Sequence, residues 1–369
     1  MAIGFYNFQK LHHEGFQKEV LERFEKIVSK NAFVEGEYNT SFEEKFAKMQ
    51  KAKCCNLVAN GTDALEISLQ AYGIKAGDKV AVQAISFYAS AEAIINMGAI
   101  PVFVDVEPET GLICLDSLER ILASHDIKAV MCVHIYGLPA DIDGIAKICD
   151  PKNIKVIEDG AQSQGGFYLN GDPIGSSKNL VTYSFYPTKN LGAFGDAGAI
   201  VHSDPELSEE IKSIRNHGRS PDGTKLVGRN SRCDSLQAAV LDLKLKDLEG
   251  LNAQRKKVAQ WYFEAFKGID VELVPEKYIP LSSWHLFPIR LENKEKKYAL
   301  KDFLSLKNIG SALFYEKAMS EEKPLLGVEG EKDNSVIFAN KTLCLPMHPF
   351  LSQEDIIEVA QAVKEFLNQ

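Results

Sequence analysis

Seven short, nearly unbroken apolar runs punctuate the first 203 positions: 53–59 "KCCNLVA", 79–84 "KVAVQA", 100–106 "IPVFVDV", 128–135 "KAVMCVHI", 154–159 "IKVIED", 180–185 "LVTYSF" and 198–203 "GAIVHS". Continuous rather than alternating hydrophobicity predicts strands covered on both faces. Helical spacing fills several of the gaps, as in 62–72 "TDALEISLQAY" and 88–98 "YASAEAIINMG". Strands alternating with helices predict a mainly parallel sheet with right-handed crossovers. The stretch 203–218 predicts a helix capped by Ser203 or Asp204, with Pro205 in its first turn and Gly218 closing it. Two more helical patterns lie near 233–249 and 252–268. The expected layout is an amino-terminal arm and helix over 1–30, a large domain over 31–245 and a smaller α/β domain over 246–369.

Composition narrows the class. With 369 residues, 45% hydrophobic and 25% charged, the chain is long enough for a large domain and a companion. No apolar run approaches the roughly 20 residues that span a bilayer, and the first residues lack the layout of a secretory signal. The seven scattered cysteines suggest a reducing cytoplasm, with neither a disulfide framework nor zinc-site spacing, so no metal is expected. A net charge of −9 argues against nucleic acid as a partner but leaves room for a small anion held by local donors.

One lysine stands out. Lys189 lies in "SFYPTKNLGAFGDAG", residues 184–198, a tight glycine-bearing stretch directly after a strand pattern. It is either a surface loop residue or a buried amine with chemistry to perform. Asp159 in "IEDGAQSQG" closes another strand, where open α/β sheets present ligand groups; alone it reads as readily as a helix cap. "NGTDAL", residues 60–65, turns from strand into helix, and backbone amides at such a start hold phosphate, although many such turns hold nothing. Phe87 and Tyr88 in "ISFYAS" follow the second strand and suit either core packing or stacking on a flat ring. Ser184 closes the strand before Lys189 and can donate to a phosphate. Phosphate donors, an aromatic face, a carboxylate and an amine at one sheet edge together match pyridoxal 5′-phosphate, whose usual setting pairs a lysine with an acid at the ring nitrogen.

Eight ordered blocks carry a further signal: "FVEGEYNTSFEEKFA", "NGTDAL", "ISFYASAEAI", "GAIPVFVDVEPET", "VHIYGLPADID", "IEDGAQSQG", "SFYPTKNLGAFGDAGAI" and "RNSRCDSLQAAVL". In these the chain resembles the DegT/DnrJ/EryC1/StrS family, sugar-nucleotide aminotransferases of the aspartate-aminotransferase fold (fold type I). The resemblance implies an α/β fold with a seven-stranded, mainly parallel sheet in the large domain. It implies Lys189 as the Schiff-base lysine, Asp159 as partner of the pyridinium nitrogen and Gln162 as partner of the ring hydroxyl. Phe87 would stack on the ring, while Gly61, the amides of Thr62 and Asp63, and the Ser184 hydroxyl would hold the phosphate. Asn230 would reach the phosphate of a neighbouring subunit, implying a homodimer with shared sites.

The implied activity is transfer of an amino group from L-glutamate to a nucleoside-diphosphate-linked keto sugar, making an amino sugar for surface polysaccharide such as O-antigen or a related glycan. Family members that dehydrate the sugar carry histidine where Lys189 stands, so transamination is favoured over a lyase reaction. The amino-terminal pattern and the "LCLPMHPFLSQEDI" ending resemble members acting at C-3 of a dTDP- or UDP-hexose more than those acting at C-4. One departure is "ALFYEK" at 312–317, where Phe314 and Glu316 replace the family's histidine and proline around Tyr315, a candidate sugar contact. Arg219, Lys225 and Arg229 in the polar loop 219–232 are candidate diphosphate partners or solvated rim charges. His217, His348, Asp105 and Glu107 read as structural.

Overall fold

The computed structural model describes residues 2–369. Among the described residues there are twelve strands: β1 (Cys54–Val58), β2 (Lys79–Gln83), β3 (Ile100–Val104), β4 (Ile127–Val133), β5 (Lys155–Asp159), β6 (Leu180–Ser184), β7 (Gly198–His202), β8 (Arg219–Ser220), β9 (Gly223–Thr224), β10 (Glu272–Leu273), β11 (Phe287–Arg290) and β12 (Thr342–Leu345). The helices are α1 (Phe8–Leu11), α2 (Glu14–Lys30), α3 (Glu37–Met49), α4 (Gly61–Ala71), α5 (Ala89–Asn96), α6 (Leu115–Ser124) and α7 (Ile142–Cys149). They continue with α8 (Pro205–Arg215), α9 (Ser235–Lys244), α10 (Leu248–Ala265), α11 (Lys294–Leu306), α12 (Asp333–Lys341) and α13 (Gln353–Leu367).

The seven apolar runs become one seven-stranded sheet, ordered β1-β7-β6-β5-β4-β2-β3. Its pairs β3–β2, β2–β4, β4–β5 and β5–β6 are parallel; β7 alone runs the other way, against β6 and β1. Nearly every residue of these strands is buried, because helices cover both faces. One core joins β1, β4 and β6 to α3, α6 and α7, and a second packs α4 and α5 over β2 and β3. Each contributes the fully buried branched and aromatic side chains that fix strand order.

This topology puts the carboxyl ends of β1, β2, β5 and β6 along one edge, the position at which parallel α/β sheets present ligand groups. A separate three-stranded antiparallel sheet, β10-β11-β12, lies beyond residue 270 and packs with α10, α11 and α13. Near the amino terminus, Ile3 bridges to Ile309, which ties the arm to this carboxyl-terminal part. Asp105 accepts from the Asn334 and Ser335 amides and the Ser335 hydroxyl at 2.7–2.8 Å, docking the start of α12 onto the end of β3. No helix among the described residues is long and apolar enough to cross a membrane.

Candidate functional site

Lys189 follows β6 in a loop that folds back on itself. The Lys189 amide donates to the Tyr186 carbonyl at 2.9 Å, and Ala193 returns to the Phe185 carbonyl at 2.8 Å. Gly192 is required here, since a Cβ at that position would lie 2.5 Å from the Pro187 carbonyl oxygen. The neighbouring Asn190 side chain donates to Asn252 Oδ1 of α10 at 3.0 Å and to the Ser283 carbonyl at 2.7 Å. A tight turn pinned on both sides therefore fixes the stem of Lys189. Its Nζ makes no hydrogen bond or ion pair among the described residues, and burial pushes its ammonium down to about 8, with the Asp159 charge partly opposing that shift.

Asp159 ends β5 with only 5% of its surface exposed. Its Oδ2 accepts from the Ser90 hydroxyl at 2.8 Å and its Oδ1 from the Ala161 amide at 3.1 Å. Ser90 in turn shares a 2.9 Å bond with Ser86. Among the described residues no cation lies within ion-pairing distance, which leaves a desolvated carboxyl group with room for a positive partner. On the opposite face of β5, Glu158 is fully buried but fully partnered by His134, Tyr168, Ser177 and Asn179 at 2.6–2.9 Å. His134 Nδ1 accepts from the Ala140 amide, so Nε2 carries the proton given to Glu158. Burial raises the Glu158 carboxyl, yet its donors outweigh that and hold it below its ordinary value. Glu158, facing away from the edge, has four partners; Asp159, facing it, has two neutral donors and no cationic partner among the described residues.

Gln162 lies one turn beyond Asp159. Its Oε1 accepts from the Tyr136 amide and its Nε2 donates to the Tyr315 hydroxyl at 2.6 Å. Tyr315 thus joins the site, with its phenol pushed up by burial and by the Asp159 charge. Phe87 is 61% exposed, its ring 6.3 Å from that of Tyr315, so an aromatic face is offered to the same edge.

Helix α4 begins beside Ser184. A Cβ on Gly61 would lie 2.7 Å from Ser184 Cβ, so only glycine lets the helix start approach β6 this closely. One expectation needs correcting. The Asp63 amide is not free for a phosphate, because it donates at 2.8 Å to Asn60 Oδ1, which caps the helix. The amides of Gly61 and Thr62 remain beside the Ser184 hydroxyl, donors at a helix start of the kind that attracts anions.

In the basic loop the three candidate cations have different surroundings. Arg229 is held by Glu66 and lies 3.9 Å from Asp63, so its charge is already balanced. Lys225 pairs with Asp222 at 3.2 Å, and Arg219 lies exposed on the short β8–β9 hairpin. Asn230 is exposed, its Oδ1 accepting from Arg232 at 2.8 Å, and lines a cleft with Asp63 and Arg229. His217 adopts a left-handed conformation in the same segment, whereas buried His348 lines a small cavity beside Lys189.

Ser90, Tyr136, Arg255 and His285 escaped the sequence reading. His285 shares a 3.2 Å bond with Asn190, and burial together with the Lys189 charge depresses its imidazolium. Position after a strand end signalled Ser90 and Tyr136, which follow β2 and β4; Arg255 and His285 come from distant segments that only the fold assembles.

A sequence profile of the DegT/DnrJ/EryC1/StrS aminotransferase family matches residues 15–364. The chain is 34% identical over 364 residues to a UDP-N-acetyl-3-dehydro-alpha-D-glucosamine 3-aminotransferase of Acidithiobacillus ferrooxidans, covering 97% of this chain and 96% of the relative. It is 36% identical over 358 residues to the dTDP-3-amino-3,6-dideoxy-alpha-D-galactopyranose transaminase of Aneurinibacillus thermoaerophilus, covering 95% and 96%. The crystal structure of NtdA from Bacillus subtilis with bound cofactor PMP superimposes with a TM-score of 0.90 at 26% identity, over 100% of this chain and 86% of that one.

Proposed function

The chain belongs to the DegT/DnrJ/EryC1/StrS aminotransferase family, and on that premise we propose that it is a pyridoxal 5′-phosphate-dependent transaminase that aminates a nucleotide-linked keto sugar at C-3. The observation that carries this is the juxtaposition of Lys189 and Asp159: a buried amine and a buried carboxyl group at one sheet edge, close enough for the acid's charge to act on the amine, with no ion pair to either among the described residues. Relatives acting on UDP- and dTDP-linked sugars support the substrate class. L-glutamate is the proposed amino donor, and an amino sugar destined for a surface polysaccharide is the proposed product.

Bound at this edge, the cofactor would supply an amine-reactive aldehyde and an electron-withdrawing ring. The chain does the rest. Asp159, oriented by Ser90 and the Ala161 amide, holds a proton at the ring nitrogen. Lys189 would carry the proton to and from the donor α-carbon, a task suited to an amine that burial depresses to about 8. Gln162 meets the ring hydroxyl with its remaining amide hydrogen, and Phe87 covers the ring face. Gly61, Thr62 and Ser184 grip the phosphate.

In the same proposal two protomers share their sites, Asn230 of each reaching toward the other. Exposed apolar side chains such as Phe33, Val34 and Val227, the last 88% exposed, support such a covered face. The chain divides into the arm over 1–30, the large domain over 31–245 and the smaller domain over 246–369, the large domain carrying Lys189 and Asp159.

Gly61→Ala tests the phosphate grip. The added methyl must displace Ser184, at a cost of about 1–3 kcal/mol, so titration with pyridoxal 5′-phosphate is expected to show roughly tenfold weaker binding. The reaction itself is tested by incubating holoenzyme and glutamate with dTDP- and UDP-linked 3-keto and 4-keto hexoses. Equimolar 2-oxoglutarate and a 3-amino sugar are expected by mass spectrometry. Glutamate-independent loss of water from the sugar, with no 2-oxoglutarate, would replace transamination by a lyase reaction.

A further inference from the structure

Helix α9 carries a buried lysine that no carboxylate explains. Lys244 is 6% exposed, and its Nζ donates to the Gly192 carbonyl at 2.7 Å. Among the described residues that carbonyl is its one hydrogen-bond acceptor, and no acid forms an ion pair with it. The amine lies against two rings, 5.6 Å from the centroid of Phe16 and 5.3 Å from that of Phe194. Phe16 belongs to an apolar cluster with Val20, Val240 and Leu243 that packs α2 against α9. Burial pushes the Lys244 ammonium down to about 7. Methionine would fill such a slot without that desolvation cost, so packing alone does not account for a nitrogen here.

What the nitrogen reaches is the loop that bears Lys189. The Gly192–Ala193 peptide unit is held at both ends, its carbonyl by Lys244 and its amide by the Phe185 carbonyl at 2.8 Å. One residue on, the Phe194 amide donates to Gln237 Oε1 at 2.9 Å. Gln237 stands seven residues before Lys244 on α9, about two turns, so both project from one face of the helix. A Cβ on Gly195 would lie 3.3 Å from Gln237 Nε2, so a glycine there eases the approach of loop to helix. Helix α9 grips the exit of the loop, the turn from Tyr186 to Lys189 closes its entry, and the reactive lysine sits between.

Resting on the reading of Lys189 as the reactive amine, we propose that Lys244 and Gln237 are positioning residues for the transamination. They aim the amine by fixing the backbone of its loop from behind. Reaction rates fall steeply when a reacting group is misplaced by even an ångström. Because Lys189 acts in both halves of the reaction, a loosened grip slows both alike and leaves substrate affinity as it was.

The test compares wild type with Lys244→Met and Gln237→Ala. In cofactor-free protein, amide exchange of the peptide spanning 186–195 is followed by mass spectrometry, and capture of pyridoxal 5′-phosphate by absorbance. In holoenzyme, the two half-reactions are followed separately in single turnovers. Lys244→Met is expected to speed exchange of that peptide at least tenfold, with peptides of α10 unchanged. Cofactor capture and the saturating rates of both half-reactions are expected to fall at least tenfold. The half-saturating concentrations of glutamate and keto-sugar nucleotide stay within twofold of wild type. Gln237→Ala removes one acceptor from a half-buried position and is expected to shift the same readings severalfold. It decides the question if Lys244→Met fails to fold. A folded variant whose melting temperature drops while its capture and half-reaction rates stay within twofold of wild type overturns the inference. So does an effect confined to one substrate's half-saturating concentration. A wild type in which borohydride fixes the cofactor to a lysine other than Lys189 would instead overturn the reading on which the inference rests.

Discussion

Lys189→Ala is expected to lower kcat/KM for glutamate-dependent amination by roughly 10⁴-fold or more, removing both the covalent tether of the cofactor and the proton carrier. The loop around it should survive. Its fixed points are the Ala193–Phe185 return and the Asn190 bonds to Asn252 and Ser283, none of which uses the lysine side chain. Removing a desolvated ammonium with no ionic partner also costs little, so the melting temperature is expected to hold or rise. The purified wild type should absorb near roughly 410–430 nm and the variant should not. Lys189→Arg, which keeps charge and length but cannot form the tether, should be as inactive as alanine. Substantial turnover by either variant would remove Lys189 from the mechanism.

Asp159→Asn is the second large effect. The substitution is nearly isosteric and retains an acceptor for Ser90 or the Ala161 amide, so the fold has little reason to change. What disappears is the charge. An opposite charge at this range favours a protonated partner by about 1–3 pKa units, so losing it is expected to lower the rate roughly 10- to 1,000-fold. Asp159 also holds the free Lys189 amine up against burial, so without it that amine should titrate below the value of about 8. In cofactor-free protein, the pH midpoint for cofactor capture is therefore expected to move down, since the neutral amine is the nucleophile. Measuring capture rates between pH 6 and pH 9 as an absorbance change reads this shift. A midpoint that stays in place would mean that the two groups do not share a field.

The seven strands of the main sheet were legible because buried parallel strands leave a crude signature, short and largely apolar runs bounded by turns. All seven runs became strands, within two residues at either end. Strand order was not legible, since nothing in "GAIVH" announces that β7 inserts antiparallel between β6 and β1. The smaller sheet was missed strand by strand. Segments such as "FPIR" and "TLCL" are four residues long and carry no period.

Within the site, Lys189, Asp159 and Gly61 could be found because each sits at the end of a strand pattern, where topology alone predicts a shared edge. The misassigned Asp63 amide was readable too, for Asn60 directly before a helix pattern is a strong cap. Arg255 was hidden among three consecutive basic residues of a helix, Arg255, Lys256 and Lys257. Only the packing of α10 against the Trp284 and Met347 carbonyls singles out the first of them.

Peptide mapping after borohydride treatment of the holoenzyme tests the central claim most directly. The account predicts that reduction bleaches the visible absorbance and fixes the cofactor to one peptide, with the added mass on Lys189. Labelling of any other lysine, with Lys189 unmodified, would contradict it.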